Sequence, residues 1–220
     1  MNPYGQRLRA LLSPPERGVL ARLSSPKKIQ DFVDGLPINF EETGESIFSP
    51  RRVLRENRAH CMEGALFAAA CFAYHDQPAL LLDFQASPAD DDHVVALFRR
   101  DRLWGAISKT NHAVLRWRDP VYRTVRELAM SYFHEYSVPS GKKTLRTVSR
   151  PFDMRRYAPA RWVTAEEDLL WLQEELDDSP HVRLVPPKMI ARLRNASPLE
   201  QRAMALVEWE AKKPAALADR

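Results

Sequence analysis

A single α+β domain is the fold class the sequence predicts, and three observations predict it. Ser-Pro pairs at 13–14, 25–26, 49–50 and 197–198 mark helix starts on both flanks of the chain. A segment that is apolar almost all round, Cys61 to Tyr74, reads as a buried central helix. Short β-prone runs between residues 79 and 107 follow it as a small antiparallel sheet. A chain of 220 residues, 45% of them hydrophobic, can fill one sizeable core. A charged fraction of 28% argues against global disorder.

Each element has a local reason. Ser13-Pro14 with Glu16 is a capping box. Ser25-Pro26 opens a helix with Ile29, Phe32, Val33 and Leu36 on one face, which Pro37 ends. Ser49-Pro50 opens a short Arg-rich helix or turn to about Glu56. After the central helix, His75-Asp76-Gln77-Pro78 is a turn and residues 79–85 a buried strand. Residues 87–92 form an acidic loop, and His93–Phe98 and Leu103–Ile107 pair around a tight Arg99–Arg102 turn. Asp119-Pro120 begins a helix to about Tyr136, with Val121, Val125, Leu128 and Tyr132 on one face. Residues 139–163 read as irregular and basic. Thr164 with Glu167 caps a helix carrying Leu169, Leu170, Leu172 and Leu176. Ser197-Pro198 with Glu200 caps a last helix carrying Met204, Leu206, Val207 and Trp209, and the tail after Lys213 reads as frayed. The chain thus divides into an N-terminal helical segment (1–48), a core (49–138) and a basic loop region with C-terminal helices (139–220), within one compact domain.

Composition narrows the function classes. The net charge of +4 is mild for this length and does not require a nucleic-acid or membrane partner. The longest apolar run, Gly64–Tyr74, is too short to cross a bilayer, and the first residues carry no apolar leader segment. A cytoplasmic protein is the expectation. Cys61 and Cys71 would lie about 15 Å apart on one helix, too far for a disulfide, so free thiols are expected. There is no phosphate-cradling glycine loop and no nucleotide fingerprint, so no cofactor is expected.

One constellation can carry chemistry. Cys61 stands at a helix start, where free N–H groups and the helix dipole stabilise a thiolate and could hold an oxyanion. Arg58 and His60 precede it. His93 begins a strand about thirty residues on, and a thiolate nucleophile needs a base that a third group orients. If Arg100-Asp101 is a two-residue turn, Ser108 lies directly opposite His93.

The segments AHCMEGALFAAACFAYHDQPALLLDF and DDHVVALFRRDRLWGAISKT resemble the Cys-helix-strand and His-strand blocks of the transglutaminase-like superfamily. The resemblance covers roughly residues 50–112. It implies a papain-like fold with Cys61 on the central helix, and cysteine chemistry on acyl groups of a peptide or protein, with Cys61 as nucleophile and His93 as base. Trp104 and Ser108 keep the family's four-residue spacing to the third catalytic position, but Ser108 stands where aspartate is usual. Asn111, Asp91 or Asp92 could orient the imidazole instead. The Arg51–Asn57 lead-in lacks the aromatic residue that often helps hold the oxyanion in this superfamily.

Plainer readings stand beside these. Cys61 could be a small buried hydrophobe, and Cys71 reads as core. His60, His75, His112 and His134 read as surface or structural residues, and a metal site from His60, Cys61 and His93 is disfavoured by its adjacent ligands. Glu63 favours the helix dipole. The basic, aromatic-rich stretch Lys142–Arg161 reads as pairing with the acidic residues 166–178, ahead of a nucleic-acid surface. A catalytically inactive relative that binds a peptide or protein is the alternative to the enzyme.

Overall fold

The Ser-Pro pairs at 13–14, 25–26, 49–50 and 197–198 each open a helix in the computed structural model of the chain, which describes residues 2–42 and 44–211. The serine hydroxyl accepts a backbone N–H of the first turn while proline occupies a position that needs no donor. This sets α2 (Pro14–Arg22), α3 (Pro26–Asp34) and α4 (Pro50–Glu56). They follow α1 (Pro3–Leu11), which Asn2 caps through its side-chain oxygen and which no Ser-Pro signal announced. The central helix α5 runs Cys61–Tyr74, and every residue from Met62 to Ala73 is buried. It packs under α1 and α4 on one side and against the sheet on the other. Phe32 of α3 stacks on Phe67 with centroids 4.9 Å apart, and the Trp162 indole N–H donates to Tyr4 Oη at 2.9 Å.

The sheet is antiparallel and larger than the sequence suggests. Its strands are β1 (Leu80–Gln85), β2 (His93–Arg100), β3 (Leu103–Ile107), β4 (Arg118–Tyr122), β5 (Thr147–Ser149), β6 (Phe152–Asp153) and β7 (His181–Arg183). Their order is β4-β3-β2-β1-β5-β7, with β6 also pairing β1. Alternation sorts two apolar clusters to its two faces. Leu81, Val94, Ala96, Phe98 and Ile107 pack with α5, whereas Leu82, Phe84, Val95 and Leu97 pack with Leu128, Tyr132 and Tyr136 on the far side. Gly105 sits where the β3–β4 register shifts, and a Cβ there would lie 2.4 Å from the Phe98 ring, so the close approach requires glycine.

Several sequence expectations are corrected. The β2–β3 turn is Asp101–Arg102, both at positive φ, so Arg99 pairs with Trp104 and not with Arg102. Residues 118–122 form edge strand β4, where Pro120 is tolerated because an edge leaves one side of the strand unpaired. The helix that follows, α6 (Val125–Tyr132), starts instead at the Thr124 cap, and Val121 is exposed. Residues 139–163 contribute β5, β6 and the short α7 (Pro159–Trp162). Thr164 caps nothing: α8 (Leu170–Asp177) begins later, after Asp168 turns to accept from Arg52 and from the Ile47 N–H. Beyond α9 (Pro187–Ile190), the last helix α10 (Pro198–Met204) ends early. Val207 then bridges to His112 in extended form. The tail beyond Lys213 lies outside the described residues.

The basic stretch is spent mainly on its own neighbours. Arg155 binds Asp153, Arg156 lies over Phe152 at 4.1 Å and Arg161 over Trp171 at 3.8 Å. Tyr157 bonds Glu175, but Glu166 and Asp168 pair with arginines of α4. No helix among the described residues is long and apolar enough to cross a membrane.

Candidate active site

The start of α5 is built around a buried carboxylate. Glu63 is fully inaccessible; its Oε1 accepts from Asn39 Nδ2 at 3.0 Å and from the Phe48 N–H at 2.9 Å, and its Oε2 accepts from the His60 N–H at 2.8 Å. Burial pushes its carboxyl pKa up, against these donors and the His60 ring. Glu63 therefore does more than favour the dipole: it ties both ends of the α3–α4 connection to the turn that carries Cys61. His60 completes the turn. In the neutral ring its Nδ1 accepts from the Met62 N–H at 3.2 Å, and its Nε2 faces the Ser46 carbonyl at 2.9 Å.

Cys61 is the first residue of α5 and is half-buried. Burial alone would raise its pKa, but hydrogen bonds and charge from His60 and His93 overcome that and hold the thiol well below the ordinary range. His60 responds in kind. Burial opposes its cation, while the Cys61 sulfur and charge, Glu63 and the Ser46 carbonyl raise it to about 10. The sequence reading set His60 beside Cys61 yet counted it among the surface or structural histidines; its ring nitrogens meet the Met62 N–H and the Ser46 carbonyl, and it also lowers the Cys61 thiol pKa. Arg58 instead stacks over Phe48. Cys71 is sealed in the core, where burial pushes its thiol up.

His93 opens β2 and is buried. Its Nε2 lies 2.8 Å from Ser108 Oγ. The Ser108 hydroxyl has one proton, and Oγ donates it to the Leu115 carbonyl. The oxygen must therefore accept from His93 Nε2–H, which leaves the Nδ1 lone pair for the sulfur. The turn lies one residue later than expected, so Ser108 meets His93 diagonally; a register change of two residues preserves the face. Leu115 sits at φ 59°, a strained turn that aims its carbonyl at Ser108. Gln30 of α3 holds the Ser108 backbone on both sides, accepting from its N–H at 3.0 Å and donating to its carbonyl at 2.8 Å. Nothing in the sequence marked Gln30 out, because it lies 78 residues away.

Asn111 lines the same cleft, but its amide exchanges two hydrogen bonds with the Trp209 backbone and reaches no imidazole. Asp92 accepts from the Ala86 N–H, and neither Asp91 nor Asp92 bonds His93. The cleft has a volume of about 330 Å³ and places Cys61, His93 and Tyr136 on one wall system. The Tyr136 hydroxyl is buried with no partner among the described residues, and burial and then the Cys61 charge push its pKa well up. A buried hydroxyl without an acceptor, on a residue that lines the cleft, has a donor to spare for a ligand oxygen. A second hollow of about 340 Å³ meets Cys61 and His60 from the α5 side of the sheet. No group of three or more His, Cys, Asp or Glu among the described residues is arranged to hold a metal. Comparison with protein-family models and with curated proteins finds no match.

Proposed function

We propose that the protein is a cysteine hydrolase or acyltransferase with a papain-like, transglutaminase-like core, acting on an amide or ester carbonyl of a peptide or protein. The observation that carries this reading is the committed tautomer at His93: Nε2–H is given to Ser108, which leaves Nδ1 without a hydrogen bond on the wall of the cleft that His93 shares with Cys61. The order Cys-helix, His-strand, Trp-strand and the antiparallel sheet beside α5 support the family reading. Two free thiols suit a reducing, cytoplasmic setting.

The Cys61 thiol passes its proton to His93, and the thiolate attacks the carbonyl carbon. The Cys61 N–H, left without an intrahelical acceptor at the start of α5, and the Tyr136 hydroxyl donate to the developing oxyanion. The C–N bond breaks as His93 returns its proton to the leaving amine, leaving a thioester. Water or a second amine then attacks that thioester, His93 takes the nucleophile's proton, and the proton ends on the departing sulfur.

At pH 6.5, iodoacetamide should label Cys61 about 100-fold faster than Cys71, because only the thiolate reacts. Acid quenching during turnover of a peptide 4-nitroanilide should trap an acyl group on Cys61 by mass spectrometry. Labelling no faster than an ordinary thiol, with no acyl adduct on any substrate, would sink the enzyme reading. Ser108→Ala removes the two Oγ hydrogen bonds, to His93 and to the Leu115 carbonyl, and Tyr136→Phe removes the donor proposed for the oxyanion, each bond being worth about 1–3 kcal/mol. Each should therefore lower kcat/KM about 10- to 100-fold without shifting the unfolding midpoint of the urea curve by more than a few tenths of a molar.

Ser108 is uncharged and cannot stabilise an imidazolium as aspartate would. That favours, as the second reading, a peptide-binding module that has kept the cleft and lost turnover. Saturable peptide binding equal in wild type and Cys61→Ala, with no acyl adduct, is its signature.

A further inference from the structure

We propose that the hollow on the α5 side of Cys61 binds the cationic side chain, lysine or arginine, of a peptide. The placement of that peptide's scissile carbonyl at Cys61 rests on the hydrolase reading; the pocket itself does not. Its floor is Asp83, which faces the α5 side of the sheet with Leu81 and Val94 and is 1% exposed. Asp83 Oδ2 accepts from His181 Nε2 at 3.0 Å, but the buried Oδ1 has no partner among the described residues. A buried carboxylate oxygen without a donor is costly, and a ligand N–H would remove that cost.

The surroundings fit the same ligand. Glu41, Asp92 and Asp177 line the hollow, and among the described residues its lining holds no lysine or arginine, while the His60 ring lies 3.8 Å from Glu41 and the His181 ring 3.0 Å from Asp83. Burial and then the charges of Asp83 and Asp92 push the Asp177 carboxyl up to about 6, the mark of carboxylates crowded without enough cation. Met62, Val94 and Leu176 supply an apolar wall. Lysine and arginine combine an aliphatic stem with a charged head, which such a wall and floor would hold together. The carboxylates are spread around the hollow and do not converge as metal ligands do, which favours an extended organic cation.

The test uses the Cys61→Ser protein, so that turnover cannot intrude. Three acetylated tripeptide amides, identical except for a central lysine, arginine or norleucine, are titrated by calorimetry. The lysine and arginine peptides should bind at least about tenfold tighter than the norleucine peptide. Asp83→Asn should abolish that preference, and Asp177→Asn, at the exposed end of α8, should reduce it severalfold. Equal binding of all three peptides, no saturable binding of the lysine peptide, or a preference surviving both substitutions overturns the proposal. If Asp83→Asn does not fold by circular dichroism, an unchanged preference in Asp177→Asn overturns it. The two readings fail separately: a cationic preference without any acyl adduct removes only the hydrolase, and wild-type turnover that favours norleucine removes only the pocket.

Discussion

His93→Ala should lower turnover of an amide substrate about 10³–10⁴-fold while Cys61 remains open to alkylation below pH 7. The two effects separate because both His60 and His93 lower the Cys61 thiol pKa. Removing His93 leaves His60 and the N-terminus of α5 to stabilise the thiolate. It takes away the ring whose Nε2 is fixed by Ser108, and with it the group proposed to protonate the leaving amine. General acid–base catalysis is worth about 10²–10⁴-fold, and the upper end applies where the leaving group is an amine. His60→Ala should behave oppositely. It removes a stabiliser of the thiolate, so the Cys61 pKa rises and the alkylation profile moves to higher pH, while turnover at pH 8 and above is kept within about tenfold. The checks are kcat/KM on one substrate and the alkylation rate from pH 5 to 9 in wild type and both variants. Near-normal turnover in His93→Ala would show that the assignment of the base is wrong.

Gly64→Ala should destabilise the fold by about 1–3 kcal/mol, although in an exposed helix the same change stabilises by about 1 kcal/mol. A Cβ on Gly64 would lie 2.4 Å from Lys109 Cβ and 3.2 Å from its Cγ. Neither side can yield cheaply. Helix α5 is enclosed on all sides, and Lys109 is anchored at both ends. Its Nζ donates to the Leu36 carbonyl, and the adjoining Ser108 backbone is held twice by Gln30. The segment after β3 must therefore move away from α5 and carry Ser108 with it. Calorimetry should show a fall in Tm of several degrees, since about 2–4 °C accompanies each kcal/mol at this size. The activity should fall with it, because the Ser108–His93 contact lengthens. An unchanged or higher Tm would mean that the close approach at Gly64 carries no weight.

Local chemistry made a good part of this protein legible. The Ser-Pro starts of α2, α3, α4 and α10 needed only a cap and a proline, and the span Cys61–Tyr74 needed only its unbroken apolar character. Elsewhere a local signal lost to a tertiary one. Asp119-Pro120 reads as a helix start, yet the unpaired edge of β3 takes those residues into β4. Thr164 with Glu167 reads as a capping pair, yet Arg52 engages Asp168 and the helix waits until Leu170. Residues 147–153 look irregular because their strands are two or three residues long, too short for any period to show. At the site, the positions of Cys61 and His93 came from order and spacing. Asn111 was open as an orienting group until its amide was seen bound to Trp209, 98 residues on.

By itself the sequence determined where five of the ten α-helices among the described residues begin, that a buried helix carries Cys61 at its first turn, and that a histidine strand follows at short range. These are near-neighbour properties, written in caps, turns and apolar runs. Only the tertiary structure decided which nitrogen of His93 is free, that Glu63 is buried behind His60, that Gln30 holds Ser108, and that a carboxylate-lined hollow opens beside Cys61. Each of those depends on a hydrogen bond or a packing contact between segments far apart in the chain, and no local pattern encodes which distant partner a polar group will meet.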